Sequence, residues 1–219
     1  MKKLVVFFLL LSLKSFAQQP VFQSGKHTLQ SFLVSNTIYP SYSRQHCIGG
    51  TVLVSFRVNR EGNVFSSRVT RGVGTDLDDE ALRLVRMTRG KWSVPADFDT
   101  TTVISVPVNF RVSGANCDQK TVAEIRQAIQ AYRNEEELTN AVLNYYRNKE
   151  QGKAPAGEEQ RIRSIQQDLG YDDDYFNERI NLGLKKIKQG DREGACEDFT
   201  FVKYMGSDKA DQYLEKYCR

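Results

Sequence analysis

Every second residue from Val52 to Val58 is a large apolar one, either Val or Phe. A period of two is typical of a strand that buries one face. A turn over 59–63 and a second strand over 64–70 follow, close enough in sequence to pair with the first strand as a hairpin. A third alternating stretch covers 103–112. The first half of the chain therefore predicts a sheet of three strands.

A helix is predicted between the second and third strands. Thr75 has the type of side chain that caps a helix N-terminus, and four acidic residues follow within 76–80, where the helix dipole is positive. Gly90 ends the helical pattern, and we expect Trp92 to pack beneath it in the core. Together with the three strands, this helix predicts a ββαβ domain.

Pro107 lies within the third strand and has no N–H group to donate to a sheet. Proline is tolerated where that group would point away from the sheet, so we expect the third strand at an edge. A right-handed crossover makes the third strand parallel to the second. With the first strand between them, Cys47 and Cys117 flank neighbouring strand ends. This order predicts a disulfide between them, stabilising the fold by on the order of 4 kcal/mol.

The same proline determines which backbone groups face outward. In an antiparallel strand the N–H and C=O of one residue point to the same side, and the side alternates along the chain. If Pro107 faces outward, Ser105, Asn109 and Arg111 also offer their backbone groups to the open side. These four residues are predicted to accept an added partner strand, although Pro107 and Arg111 also suit an edge that is protected against aggregation.

The second half of the chain has helical periodicity. Thr121 and Glu124 have the spacing of a capping box. We predict a helical hairpin over 118–150, with a break after Asn134, then a Gly- and Pro-containing linker over 151–160 and further helices over 161–219. The expected fold class is α+β, with the ββαβ domain over 18–117 followed by an all-α region.

Residues 1–17 are interpreted as a cleaved secretory signal peptide. Lys2 and Lys3 precede an apolar stretch over 4–13, and Ser15 to Ala17 form a small-x-small cleavage site. The apolar stretch is about half of the roughly 20 residues that a membrane-spanning helix needs. A cleaved signal is therefore favoured over an uncleaved anchor, and we expect the mature protein to be exported.

Composition narrows the class of partner. The chain is 40% hydrophobic and 26% charged, as in ordinary globular proteins. Loss of residues 1–17, which include three lysines, takes the formal net charge from +4 to +1. A nearly neutral chain gives no electrostatic reason to expect nucleic acid or an anionic membrane as a partner. Export also favours disulfides for the four cysteines, for which three pairings exist.

Residues suited to catalysis or metal binding are few and scattered. His27 and His46 are the only histidines, and neither has a partner at the spacing of metal ligands. The acidic run 172–174 lacks the spaced ligands of a calcium-binding loop and is interpreted as the start of a helix. No nucleophile, base and acid are grouped together. We expect a binding module with no cofactor and no metal, not an enzyme.

Several short motifs together resemble one known family. They are Tyr39-Pro40, Lys91-Trp92 and the segments 48–52, 77–81 and 106–110. Their content and order resemble the C-terminal domain of TonB proteins. That resemblance implies a periplasmic domain that binds the N-proximal segment of an outer-membrane transporter as an added strand.

Carried over residue by residue, the resemblance implicates Tyr39, Pro40 and the outer edge of the strand over 103–112. The energy transducers of that family also have an N-terminal membrane helix and a long Pro-rich spacer. Here only a short segment separates Ala17 from Tyr39. The resemblance implies a role in energy transduction for transmembrane transport, whereas direct coupling to the proton-motive force without such an anchor stays open.

The last part, 161–219, resembles a single tetratricopeptide-type pair of helices. The residues that carry this resemblance are Leu182, Gly183, Gly190, Asp191, Ala195 and Phe199. One such repeat cannot bury its own apolar face well, so a covalent staple is expected. Cys196 and Cys218 lie on consecutive helices, and a disulfide between them would stabilise the pair by roughly 3 kcal/mol.

Two functional hypotheses follow. In the first, the protein is a periplasmic adaptor that binds outer-membrane transporters, or another periplasmic protein, by strand addition. In the second, it is a periplasmic scaffold that acts through its C-terminal helices, with the sheet domain as a rigid base. Capture of a transporter segment by residues 18–117 would favour the first hypothesis, and capture of other partners by 118–219 would favour the second.

Overall fold

The computed structural model describes residues 19–112, 114 and 117–218. The predicted signal peptide 1–17 lies outside these residues. The elements of the first half are β1 (Val21–Phe22), α1 (Leu29–Asn36), α2 (Ser41–Gln45), β2 (Gly50–Val58), β3 (Val64–Arg71), α3 (Asp76–Arg86), β4 (Trp92–Ser93) and β5 (Ile104–Phe110). Those of the second half are α4 (Val122–Glu150), α5 (Glu159–Asp168), α6 (Asp173–Lys188), α7 (Arg192–Tyr204), a short 3-10 helix (Asp208–Ala210) and α8 (Asp211–Tyr217).

The main sheet has β2 in the centre, with β3 and β5 antiparallel to it on either side. This arrangement confirms the predicted strand order and the α+β class. The alternating apolar residues of β2 are at most 1% exposed, because they face a core to which α3 contributes Leu77, Leu84 and Val85. Trp92 is buried in the same core, as predicted, and its indole N–H donates to Thr88 Oγ1 at 2.9 Å.

A second, two-stranded sheet was not predicted. β1 pairs antiparallel with β4, which sets Phe22 opposite Trp92. The Phe22 ring also lies 5.6 Å from the Trp92 ring and 5.4 Å from the Phe32 ring, centroid to centroid. Two-residue strands are too short to show a period of two, so only tertiary packing reveals this sheet.

The predicted helical hairpin over 118–150 is wrong, because α4 is one continuous helix of 29 residues. The predicted capping box at its start is confirmed: the Thr121 hydroxyl accepts from the Glu124 N–H, and the Glu124 carboxylate accepts from the Thr121 N–H. Asn134 does not interrupt the helix. Its side-chain oxygen accepts a hydrogen bond from the Gln130 side-chain amide at 2.8 Å, and asparagine in a helix interior costs no more than about 0.7 kcal/mol relative to alanine.

The reason for the length of α4 is that it serves two hydrophobic cores. Its N-terminal half packs Ile125, Ala128 and Ile129 against the core of the sheet domain. Its C-terminal half buries Val142 and Tyr145 in the core of the helical region. A helix that is polar in its middle is stable when it bridges two packed bodies.

The helical region is built around α6 and α7, which are joined by a short turn at Gly190. Gly183 of α6 lies directly against Phe199 of α7, since a Cβ at Gly183 would stand 2.6 Å from the Phe199 ring. The predicted disulfide between Cys196 and Cys218 is present and connects α7 to the end of α8. Within the described ranges, no helix is both long enough and apolar enough to cross a membrane.

Candidate functional site

β5 forms one border of the main sheet, and among the described residues no strand pairs with its outer side. Its side chains alternate: Val106 and Val108 are buried, whereas Ser105, Pro107 and Asn109 are exposed. Pro107 stands opposite Leu53 of β2. Because proline has no N–H, this must be a position without a hydrogen bond to β2, and alternation then turns the backbone groups of Ser105 and Asn109 outward.

Side-chain hydrogen bonds attach β5 to β2 on the exposed face of the sheet. Ser55 and Ser105 share a bond between their hydroxyls at 2.8 Å, and Thr51 Oγ1 donates to Asn109 Oδ1 at 2.7 Å. These bonds are made by side chains. They do not use the outward N–H and C=O groups of β5.

Tyr39 lies at the C-terminal end of β5, beside Phe110. Its hydroxyl donates to the Ile48 carbonyl at 2.6 Å, and its ring contacts the Phe110 ring edge to face, 6.0 Å between centroids. Burial, with a smaller effect from the charge of Asp76, raises the pKa of Tyr39 above its ordinary value. Gly49 makes this packing possible, because a Cβ there would stand 2.9 Å from the Phe110 carbonyl oxygen.

Pro40 occupies a different surface from Tyr39. It precedes α2 and lines a cleft of about 340 Å³ between α3 and α6, together with Ile38 and Leu182. Of the predicted Tyr-Pro pair, the structure therefore brings Tyr39 to the end of β5, whereas Pro40 faces the helical region.

Arg111 directly follows β5 and is exposed. The predicted disulfide between Cys47 and Cys117 is present and ties the segment before β2 to the segment after β5. Arg111 thus lies between the last residue of β5 and a covalent link. The four cysteines form the two predicted bonds, and no free cysteine remains.

The acidic residues at the start of α3 do more than complement the helix dipole. Asp76 accepts hydrogen bonds from the Tyr42 N–H at 3.1 Å and from the Ser43 hydroxyl. Glu80 accepts from the Ile38 N–H at 2.7 Å. These bonds hold the segment that carries Tyr39 and Pro40.

Thr75 is the N-cap of α3 by position, but its side chain makes no capping bond. Its hydroxyl pairs instead with the Ser43 hydroxyl at 3.0 Å. The backbone just before the helix is bound by Asp78, whose carboxylate accepts from the N–H groups of Val73 at 2.9 Å and Gly74 at 3.0 Å.

The opposite border of the sheet, β3, was not predicted to take part in any site. Ser66 has a left-handed backbone conformation, φ 53°, and the pairing with β2 shifts register beside it. The next residue, Ser67, is bound by a side chain from the helical region. Its N–H and hydroxyl both donate to the Glu193 carboxylate of α7, at 3.1 and 3.0 Å. These partners are 126 positions apart, so no local pattern could reveal them.

No group of three or more His, Cys, Asp and Glu side chains is placed to hold a metal ion in residues 19–112, 114 and 117–218. The acidic run 172–174 is instead a helix start, where the Asp172 carboxylate accepts from the Tyr175 N–H at 2.9 Å.

Residues 35–112 match the family described as Gram-negative bacterial TonB protein C-terminal. The match runs from the end of α1 to just beyond β5 and leaves α4 to α8 outside it. No curated protein and no solved structure matches the chain.

Proposed function

We propose that this chain, whose residues 35–112 form a TonB C-terminal domain, is a periplasmic module that binds a segment of an outer-membrane transporter as a strand added to β5. The family supports the class of partner and the envelope location. One observation carries the proposal: β5 is a border strand whose outer side is unpaired among the described residues and whose end is marked by Tyr39.

Strand addition at β5 would use backbone groups for affinity. The N–H and C=O of Ser105 and Asn109 offer two pairs of bonds to a partner strand, while Pro107 offers only its carbonyl. The missing N–H at Pro107 favours one register, in which the partner strand places only a donor opposite Pro107 and both a donor and an acceptor opposite Ser105 and Asn109. A shift by one residue would leave the partner's groups facing the wrong side.

An adaptor of this kind acts through contacts and not through catalysis. Contact with a transporter is the means by which energy transducers of the family act, so energy transduction for transport is the process that we assign to this module. The residues assigned to the binding edge are Tyr39, Ser105, Pro107, Asn109 and Arg111, and Pro40 is assigned an indirect role, since it orients the segment that carries Tyr39.

The test removes one outward N–H group. Asn109→Pro deletes this donor, whereas Asn109→Ala keeps the N–H and removes the same side-chain bond to Thr51. Full-length mature protein is titrated calorimetrically with synthetic peptides that scan the N-terminal periplasmic segments of the source organism's outer-membrane transporters. We expect Asn109→Pro to weaken binding by about 5- to 150-fold, from about 1 to 3 kcal/mol for a buried acceptor left unpaired. Asn109→Ala and Arg111→Lys should bind nearly as the wild type does.

The unfolding midpoint of Asn109→Pro in urea shows whether the variant is folded. If the folded variant binds these peptides as well as Asn109→Ala does, strand addition at β5 is wrong. Amide shifts that map to α5 through α8 on peptide binding would instead support the scaffold hypothesis, in which the helical region binds the partner.

A further inference from the structure

Helix α7 makes an unusual contact with the sheet at the middle of β3. Ser67 is only 8% exposed although it lies in a border strand. Its N–H points away from β2 and donates to Glu193, whose two carboxylate oxygens stand 3.1 and 3.5 Å from the Ser67 nitrogen. A carboxylate oxygen here occupies the place that the carbonyl oxygen of an added strand would take.

A buried arginine holds this contact in place. Arg86 of α3 is 8% exposed and donates from Nε to the Ser67 hydroxyl at 2.8 Å. Its two terminal nitrogens donate to the Glu197 carboxylate at 2.7 and 2.6 Å, and Glu193 lies 3.6 Å away. Two-point binding of this kind fixes the orientation of both partners. Arg86 therefore links β3, α3 and α7 in one polar network.

Further contacts fix α7 beside β3. Arg89 donates to the Gly190 carbonyl at 2.9 Å, just before α7 begins. The disulfide between Cys196 and Cys218 attaches α7 to α8. The left-handed Ser66 adds a local irregularity, which by itself makes a border strand a poorer template for pairing. β3 is thus protected twice, once by its own backbone and once by a helix from outside the matched domain.

We infer that α7 is a built-in cover for β3. Glu193 accepts the hydrogen bond from the outward N–H of Ser67 and thereby prevents a second copy of this chain from pairing with that strand. The inference stands without the proposed function. Its corollary, that strand addition is confined to β5, rests on that function. An uncovered β3 would expose the outward N–H and C=O groups of Ser67 and, by alternation, of Val69 to the β3 strand of another copy. Two identical border strands can pair antiparallel about a two-fold axis.

The first experiment measures amide hydrogen exchange of Ser67 by NMR in the full mature chain. Glu193→Ala removes the acceptor and should raise the exchange rate about tenfold, as expected for loss of a bond worth about 1.4 kcal/mol. Glu193→Gln keeps an oxygen that can accept and should restore most of the protection. The matched control is Glu150→Ala, which removes an ion pair of 2.7 Å with Lys203 in the last turn of α7, at the end away from Glu193. Asn109 serves as an internal reference, because its exchange should not change.

The second experiment measures self-association by sedimentation equilibrium. Glu193→Ala combined with Glu197→Ala should form a concentration-dependent dimer, while wild type and Glu150→Ala should show no such increase. Unchanged Ser67 exchange in Glu193→Ala, or an equal rise in Glu150→Ala, would overturn the inference. So would a double variant that exchanges Ser67 quickly yet shows no self-association beyond that of the wild type. Neither measurement contains a transporter peptide, so failure of peptide capture at β5 leaves both results interpretable.

Discussion

The two borders of the main sheet differ in what covers them. At β3, a bulged backbone and the Glu193 carboxylate of α7 occupy the outward side. At β5, the described residues place no strand on the outward side, and one proline interrupts the row of donors. Both strands pair with the same β2. The irregular backbone at Ser66 accounts for part of the difference, and the packing of the helical region against β3 accounts for the rest.

This difference gives the helical region a role in the behaviour of the sheet domain. A three-stranded sheet has two borders, and each is a template for pairing. By covering β3, the helices leave only β5 as a border to which a partner strand can be added. The stabilities of the β5 side and of the α7 side, which covers β3, can be measured separately, because each has its own disulfide and its own close-packed glycine.

The largest effects are expected from the disulfides. Cys47→Ser with Cys117→Ser opens a link that spans 70 positions, and Cys196→Ser with Cys218→Ser opens one of 22. In the chain-entropy relation these losses correspond to about 4 and about 3 kcal/mol of unfolding free energy. Urea denaturation of the two double variants measures the difference.

Amide hydrogen exchange measures the effect of each disulfide on each border of the sheet. The first disulfide variant should loosen the amides of β5, and the second should loosen Ser67 of β3, because α7 loses its link to α8. Equal loosening of both borders in both variants would mean that the two sides do not behave as separate units.

A smaller effect is expected from the two glycines. Gly49→Ala on the β5 side would place a Cβ 2.9 Å from the rigid backbone oxygen of Phe110, and Gly183→Ala on the α7 side would place one 2.6 Å from the Phe199 ring. Overpacking costs about 1–3 kcal/mol. In α6, however, alanine regains up to about 1 kcal/mol of helix propensity. We expect unfolding free energies lower by about 2 kcal/mol for Gly49→Ala and about 1 for Gly183→Ala. A larger loss for Gly183→Ala would contradict this ranking.

The smallest effect concerns pH. Asp79 of α3 lies in the cleft facing α6 and α7. Burial raises the pKa of its carboxyl above the ordinary 3.8, with Glu197 adding to the shift and Arg179 opposing it. Asp79 lines this cleft but is itself solvent-exposed, so water screens its charge and the effect on stability is small.

A carboxyl whose folded-state pKa is raised binds more protons in the folded state, so stability falls as pH rises from 3.8 through the folded-state value. Asp79→Asn should therefore raise the unfolding free energy at pH 7, and this gain should vanish below pH 3.8. Urea denaturation across this range tests it, with the exposed Asp97→Asn as the control. A gain that persists at low pH would show that the charge of Asp79 is not its cause.

The elements that carry their own local signals were predicted well. The alternation from Val52 to Val58 predicted a half-buried strand, and Pro107 predicted a border strand, because each depends on geometry within a few residues. The two disulfides followed from strand order and from helix adjacency, which are short-range consequences of the same patterns. The TonB-like motifs are local too, and they coincide with the matched range 35–112.

Elements stabilised from a distance were missed or misjudged. The continuous α4 was split in two because Asn134 looks like a break, whereas two separate cores hold the helix straight through it. Pro40 was grouped with Tyr39 because the family resemblance includes the Tyr-Pro step, yet the backbone turns the two residues toward different surfaces.

The sequence by itself determined the sheet, its order and the open character of β5, since these depend on periodicity and on a missing N–H. Only the tertiary structure decided which border is closed. In the sequence, Glu193 is one of 27 acidic residues, and nothing near it indicates a partner. Its role depends on the folding of the helical region, which brings Glu193 into contact with the outward N–H of Ser67, 126 positions away in the sequence.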